Sequence, residues 1–287
     1  MSAAPKILIV DGYAKKARDE LAAGGAAVAG DLYAGMLAKV SPGCQCDIVF
    51  PSDPGAGLPA GESLEGYDAV VWTGCSLTVF DDIPEVRAQI EFARQCFKAG
   101  IPAFGSCWAA QIAVVAAGGA CAANPRGCEM GIARKITLTP EGHAHPLYEG
   151  KADVFDGFIS HDDEITELPE GAVRLAGNAF TRVQSVSVDF DGGTFWGLQY
   201  HPEYDLHEMA RLTWCRIDKL TGLGFFADRQ AGEDHVILLE ALHDDPARKD
   251  IAWKLGIDDD IMDEGIRRTE VRNWLKHLVL PTMAERR

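Results

Sequence analysis

No stretch of about 18 apolar residues occurs anywhere in the chain, so a membrane-crossing helix is not expected. Met1 to Lys6 likewise lack the basic-then-apolar layout of a signal peptide, and a cytoplasmic protein is the expectation. Basic residues are scarce, with 27 Lys and Arg against 43 Asp and Glu for a net charge of −16. The basic clusters, Lys15-Lys16, Arg267-Arg268 and Arg286-Arg287, are short and diluted by neighbouring acids. A chain this acidic repels phosphate backbones, so a nucleic-acid partner is not expected. The eight cysteines include no C-x-x-C pair. Cys44-x-Cys46 reads as a reduced turn, and a chain with a sizeable core needs no disulfide framework. There is no internal repeat, no G-x-x-x-x-G-K-[ST] loop and no S-G-G-x-D-S loop, so ATP-driven chemistry within this chain is not expected.

What remains is a globular balance, with 47% hydrophobic and 24% charged residues over 287 positions. Apolar runs bounded by turn residues alternate with helical patterns, the signature of a parallel α/β sheet. Lys6 to Val10, Cys46 to Phe50, Ala69 to Trp72 and Ile101 to Phe104 read as strands. Helices are expected through Leu32, Met36 and Leu37, from Pro84 to Gly100, and from Gln111 to Ala117. A β-rich middle follows from Arg134 to Tyr200, with strands at Lys135 to Leu138, Val154-Phe155, Ser185 to Phe190 and Thr194 to Tyr200. From Asp228 strand signals vanish, and three helices are expected, the last with an apolar stripe of Ile266, Trp274 and Leu278. The expected organisation is a catalytic domain over 1–227 and a helical extension over 228–287.

Two segments carry chemistry. Gly105-Ser106-Cys107-Trp108 sets a cysteine on a turn between strand and helix, where the helix dipole favours thiolate and the free Trp108 N–H can meet an oxyanion. A buried structural cysteine is the bland alternative. Gln199-Tyr200-His201-Pro202-Glu203 follows another strand. Pro202 keeps His201 extended, and residues two apart in an extended chain project to the same side, so Glu203 can reach the imidazole and fix its tautomer. A surface His with a solvated Glu is the alternative. A Cys–His–Glu set is what nucleophilic acyl transfer requires.

These residues resemble the class I glutamine amidotransferases, whose G-x-C-x-G-x-Q and H-P-E patterns are matched by GSCWAAQ and QYHPE. The resemblance runs from about residue 5 to 225 and is greatest to the glutaminase domain of GMP synthase and its free-standing relatives. It implies an open, mostly parallel, flavodoxin-like sheet flanked by helices, with residues 228–287 as an extension outside it. It implies Cys107 as nucleophile, His201 as general base and acid, and Glu203 as its orienting carboxylate. Gly74 and Trp108 would form the oxyanion hole, and Gln111, Ser160, His161 and Asp162 the glutamine site, with His161 itself reading as structural. L-glutamine is the implied substrate, hydrolysed through a γ-glutamyl thioester, with ammonia passed to a separate synthetase. A γ-glutamyl amine or peptide hydrolase with the same triad is the second reading, and a non-catalytic regulatory protein on the same scaffold the third. Bulky Trp108 argues for a tight pocket and a small leaving group. No cofactor and no metal are implied, and a homodimer is possible through the C-terminal stripe if it does not dock on the chain's own domain.

One position departs from the pattern: Ala109 stands where the family has glycine, and the extra methyl overpacks the elbow unless a neighbour is trimmed. Glu129 and Gly131 resemble an R-E-x-G stretch in which Cys128 replaces the arginine, and they read as structural. Cys75 reads as a small apolar filler, and His143-x-His145 as a solvated pair.

Overall fold

The computed structural model describes residues 4–286. Five parallel strands form its centre: β1 (Lys6–Val10), β2 (Gln45–Val49), β3 (Ala69–Trp72), β4 (Ala103–Ser106) and, late in the chain, β11 (Gly193–Leu198). Between β4 and β11 come β5 (Ala120–Ala123), β6 (Glu129–Leu138), β7 (Val154–His161), β8 (Asp163–Glu167), β9 (Ala172–Gly177) and β10 (Ser185–Phe190). The main sheet has nine strands in the order β2-β1-β3-β4-β11-β10-β9-β6-β7, antiparallel from β11 outward, and β5 pairs with β8 in a separate ribbon. The open, mostly parallel sheet expected from the sequence is therefore present, with an antiparallel wing.

Strand side chains alternate between two buried faces. Leu8, Val10, Val70 and Trp72 enter one core with α3 (Pro84–Lys98) and α4 (Trp108–Ala116). Ile7, Ile9, Ala69, Val71 and Phe104 enter the opposite core with α2 (Ala29–Val40), which follows α1 (Lys15–Ala23). The second core also takes in Val271, Trp274, Leu275, Val279 and Met283 from the end of the chain. Trp274 is fully buried and its indole lies 5.5 Å from the Phe104 ring. The C-terminal stripe thus docks on its own sheet.

Several boundaries differ from the sequence expectation. The strand expected at 101–104 runs from Ala103 because Pro102 has no N–H to give a ladder, although its carbonyl still accepts from Val70. The helix expected from Gln111 begins at Trp108, directly after Cys107. Past the short α5 (Pro140–Ala144), the region after β11 holds α6 (Leu206–Cys215) and α7 (Ile217–Gly222). The tail holds more than three helices. α8 (Arg229–Asp244) and α9 (Lys249–Leu255) are followed by α10 (Asp259–Met262), α11 (Glu264–Arg267), α12 (Thr269–Trp274), a π-helical turn at Leu275–Val279 and α13 (Leu280–Arg286). Gly256 in the left-handed conformation ends α9, and the Asp258 and Asp263 carboxylates cap α10 and α11, which cuts the helical pattern into short pieces. No described helix is long and apolar enough to cross a membrane.

Candidate active site

The carboxyl ends of the parallel strands gather the site, as open α/β sheets do. β3 leads to Thr73-Gly74, β4 to Cys107, and β11 to His201. Cys107 sits at φ +55° and ψ −106°, a region that costs a side-chain-bearing residue about 1–3 kcal/mol. Its backbone is pinned there, its N–H donating to the Leu198 carbonyl at 2.7 Å and its C=O accepting from Ala110 and Gln111. Gly105 removes the steric conflict at the turn: a Cβ there would lie 2.3 Å from the Trp72 carbonyl oxygen and 2.4 Å from the Ala109 methyl. The alanine in place of the family glycine is therefore accommodated because the facing residue carries no side chain.

Burial pushes the Cys107 thiol up to about 12, with Glu203 and Asp163 adding to the shift and the Trp108 N–H and the Arg216 charge opposing it. The expectation that the helix terminus alone yields a resting thiolate is thus corrected. Desolvation outweighs the dipole in the closed site, and the thiol gives up its proton only to a base placed for it. His201 is 2% exposed and stacks on Tyr204 with the rings 4.0 Å apart and 4° from parallel. Its Nδ1 meets Glu203 Oε1 at 2.7 Å, as the H-P-E spacing predicts, and its N–H is tied to the Phe158 carbonyl at 2.8 Å. Its Nε2 is buried and has no hydrogen-bond partner. A Cβ on Gly74 would lie 3.0 Å from His201 Cε1 and 3.8 Å from Cys107 Cβ, so thiol and imidazole flank the same bare backbone.

Residues that sequence reasoning did not single out complete the arrangement. Ser106 Oγ donates to Glu203 Oε1 at 2.7 Å and accepts from the Tyr33 hydroxyl at 2.8 Å. Glu203 Oε1 is thereby held from two sides. Gln89, fully buried, accepts through Oε1 from the indoles of Trp108 at 2.8 Å and Trp72 at 3.1 Å, and donates to the Gly12 carbonyl and Ser52 Oγ. The Trp108 indole is consequently spent on the core and does not narrow the cleft, contrary to the expectation of a tight pocket. Gln89 did leave a signal: it is the polar residue on the buried face of α3 shared by Val86 and Ala93. Ser106 lay inside the quoted motif, but its role depends on Tyr33 from α2.

A cleft of about 180 Å³ opens over Cys107. Gln111, Ser160, His161 and Asp162 all line it. The Ser160 carbonyl lies 3.5 Å from Cys107 Sγ, and Gln111 Nε2 donates to the Asp163 carbonyl at 3.1 Å. His161 is locked between the Asp163 carbonyl at 2.7 Å and Glu129 at 3.0 Å, a structural position. Glu129 also accepts from Asn178, Thr181 and Gln184. Burial works to raise the Glu129 carboxyl, but the hydrogen bonds from His161, Asn178 and Thr181 overcome it and hold the group below its ordinary range. Asp162 pairs with Lys219 at 2.5 Å. Cys75 also faces the cleft and hydrogen-bonds the Gly12 carbonyl and the Leu77 N–H, so it is more than an apolar filler. The His143 and His145 pair is not simply solvated. His143 contacts Asp153, while half-buried His145 packs edge-on to Trp196 at 4.8 Å and is lowered by burial to about 4.

With this geometry in place, the comparisons with known proteins are specific. The family model described as glutamine amidotransferase class-I matches residues 41–213. The γ-glutamyl-L-1-hydroxyisopropylamide hydrolase of a Pseudomonas species is 32% identical over 284 residues, covering 96% of this chain and 94% of that protein. That match takes in the C-terminal helices, which the motif resemblance left out. The glutamine-hydrolysing GMP synthase subunit of Methanoculleus marisnigri is 32% identical over 158 residues, 54% of this chain and 80% of that one. A glutamine amidotransferase structure from Thermotoga maritima shares the fold over 97% of this chain and 99% of its own, with a TM-score of 0.67 at 16% identity. The chain belongs to the class I glutamine amidotransferase family.

Proposed function

We propose that the chain hydrolyses the side-chain amide of γ-glutamyl compounds, with Cys107, His201 and Glu203 as its triad. The thiol proton passes to His201 Nε2 as sulfur attacks the γ-carbonyl carbon. The resulting oxyanion accepts hydrogen bonds from the backbone N–H groups of Gly74 and Trp108. The C–N bond then breaks, and the proton on His201 leaves with the amine. Water attacks the γ-glutamyl thioester, giving its proton to the same nitrogen, and L-glutamate departs as the thiol re-forms. Glu203 keeps Nδ1 protonated so that Nε2 is the basic nitrogen. Gln111, Ser160 and Asp162 line the glutamyl site.

One observation carries the reading: a buried imidazole nitrogen without a partner, oriented by a carboxylate on the opposite nitrogen, shares Gly74 with a strained cysteine. The full-length relative named for a γ-glutamyl alkylamide favours an amine leaving group, and the Trp108 indole, turned into the core, does not oppose one. The second reading, ammonia supply from L-glutamine to a separate synthetase, is favoured by the similarity to the glutamine-hydrolysing part of a GMP synthase. In both, residues 1–227 act as the catalytic domain and 228–287 as its helical extension.

Release of ammonia from L-glutamine and of amine from a γ-glutamyl alkylamide, measured at neutral pH without ATP, tests the proposal. Cys107→Ala is expected to abolish both releases. Amine release well above ammonia release selects the amide-hydrolase reading, and the reverse selects ammonia supply. Turnover that survives in Cys107→Ala refutes the triad.

A further inference from the structure

The cleft wall facing Cys107 is built by the break between α6 and α7, which brings Arg216, Lys219 and Leu220 to the site. Lys219 already has a partner in Asp162. Arg216 has none: among the described residues no carboxylate lies within ion-pair distance of it. Its guanidinium donates to Ser160 Oγ, hydrogen-bonds Tyr13 and lies 4.0 Å from Met130 Sδ, all neutral groups. In a molecule of net charge −16, nearly every other arginine here finds an acid or a carbonyl, so a half-buried guanidinium left with neutral contacts is unusual. A cation removed from water without a counter-charge is costly, and it is retained where an anion completes it. Arg216 also bears on the thiol, its charge favouring the ionised form of Cys107, so it faces the reacting atoms at short range.

We propose that Arg216 binds the α-carboxylate of the γ-glutamyl substrate, restricting the enzyme to γ-glutamyl compounds whose α-carboxylate is free. The inference rests on the γ-glutamyl reading above. A guanidinium offers several N–H donors in a planar fork, and a carboxylate accepts two of them side by side. Ser160 Oγ holds the fork in place, and the carbonyl of the same Ser160 contacts Cys107 Sγ. One residue therefore links the group that would hold the head of the substrate to the group that would attack its tail. Sequence reasoning had no means of finding Arg216, which lies in no motif and reaches the cleft only because α6 ends at Cys215.

The experiment compares wild type with Arg216→Gln and Arg216→Lys on L-glutamine and on L-glutamine α-amide, in which the carboxylate is a neutral carboxamide. Loss of a charge-assisted contact is expected to raise KM for L-glutamine by about tenfold to a hundredfold with kcat changed far less, and Arg216→Lys is expected to recover part of it. Wild type is expected to use the α-amide poorly, and Arg216→Gln is expected to leave that residual rate unchanged. An equal loss on both substrates, or a wild-type enzyme indifferent to the carboxylate, overturns the proposal. Binding of L-glutamate, followed by thermal shift, separates the two levels of inference. Glutamate binding that weakens at least tenfold in Arg216→Gln supports the carboxylate site even where no turnover is seen, in which case the hydrolase reading alone fails. Glutamate binding unaffected by the substitution overturns the site itself.

Discussion

At Glu203 a single oxygen receives hydrogen bonds from His201 and from Ser106, while its other oxygen is buried and unpartnered. The carboxylate is thus held by the residue immediately before the nucleophile, and Tyr33 holds that residue in turn. Ser106→Ala frees Glu203 to turn, and kcat for γ-glutamyl hydrolysis is expected to fall roughly tenfold to a hundredfold with KM unchanged, since a hydrogen bond to a charged group is worth about 1.5–3 kcal/mol. Tyr33→Phe, one step further out, is expected to give a smaller loss of the same kind; a change in KM alone would contradict this role. At Gly74 a methyl group would press on the His201 ring at 3.0 Å, and Gly74→Ala is expected to lower kcat by about a hundredfold, the loss typical of a displaced oxyanion donor. An unchanged kcat would remove Gly74 from the mechanism. The triad candidates were legible because each sits in a short segment whose local geometry is set by its own neighbours: the glycine before Cys107 and the proline after His201. Ser106, Gln89 and Arg216 were not, because their partners come from distant parts of the chain, which only folding brings near.

Among the elements, α6 carries an unusual anchor. Glu208 is 3% exposed in its first turn and accepts from the Ala27 N–H at 2.9 Å, tying α6 to the loop between α1 and α2. Burial raises its carboxyl from 4.5 to about 7, against the opposing Ala27 hydrogen bond. The folded chain therefore keeps a proton there that the unfolded chain loses at lower pH. Its effect on stability is nil below about pH 4.5, grows more unfavourable up to about pH 7, and is constant above that. Glu208→Gln keeps an acceptor for Ala27 and removes the titration. It is expected to stabilise the protein by about 3 kcal/mol at pH 8 and hardly at all at pH 4.5, as read from urea unfolding at the two values. A gain equal at both would show that the group does not titrate across this range. The strands of the parallel half were legible from their apolar runs because both faces are buried. β5, β8 and β9 were not: they are short or half-exposed, and pairing rather than pattern makes them strands.

On the scale of the whole molecule, the extension is part of the sheet's second core and not an appendage to it. Trp274→Ala is expected to cost about 3–5 kcal/mol, measurable by chemical denaturation, because it empties a fully buried site against Phe104. A cost below about 1 kcal/mol would mean that the indole is dispensable to the core. The tail also reaches the site's neighbourhood. Buried Glu270 accepts from the Tyr200 hydroxyl at 2.7 Å and pairs with Lys151 at 3.1 Å, so the residue preceding His201 is held by a carboxylate from near the end of the chain. The sequence showed the apolar stripe of this tail but not its destination, since amphipathicity names a buried face without naming what buries it. This arrangement governs the order in which the protein can be completed during synthesis. β1 and Phe104 leave the ribosome early, yet the layer that covers them closes only when Val271 to Met283 have emerged. The nascent chain therefore carries an unfinished hydrophobic face through most of translation, and Cys107 can acquire its final surroundings only after nearly every codon has been read.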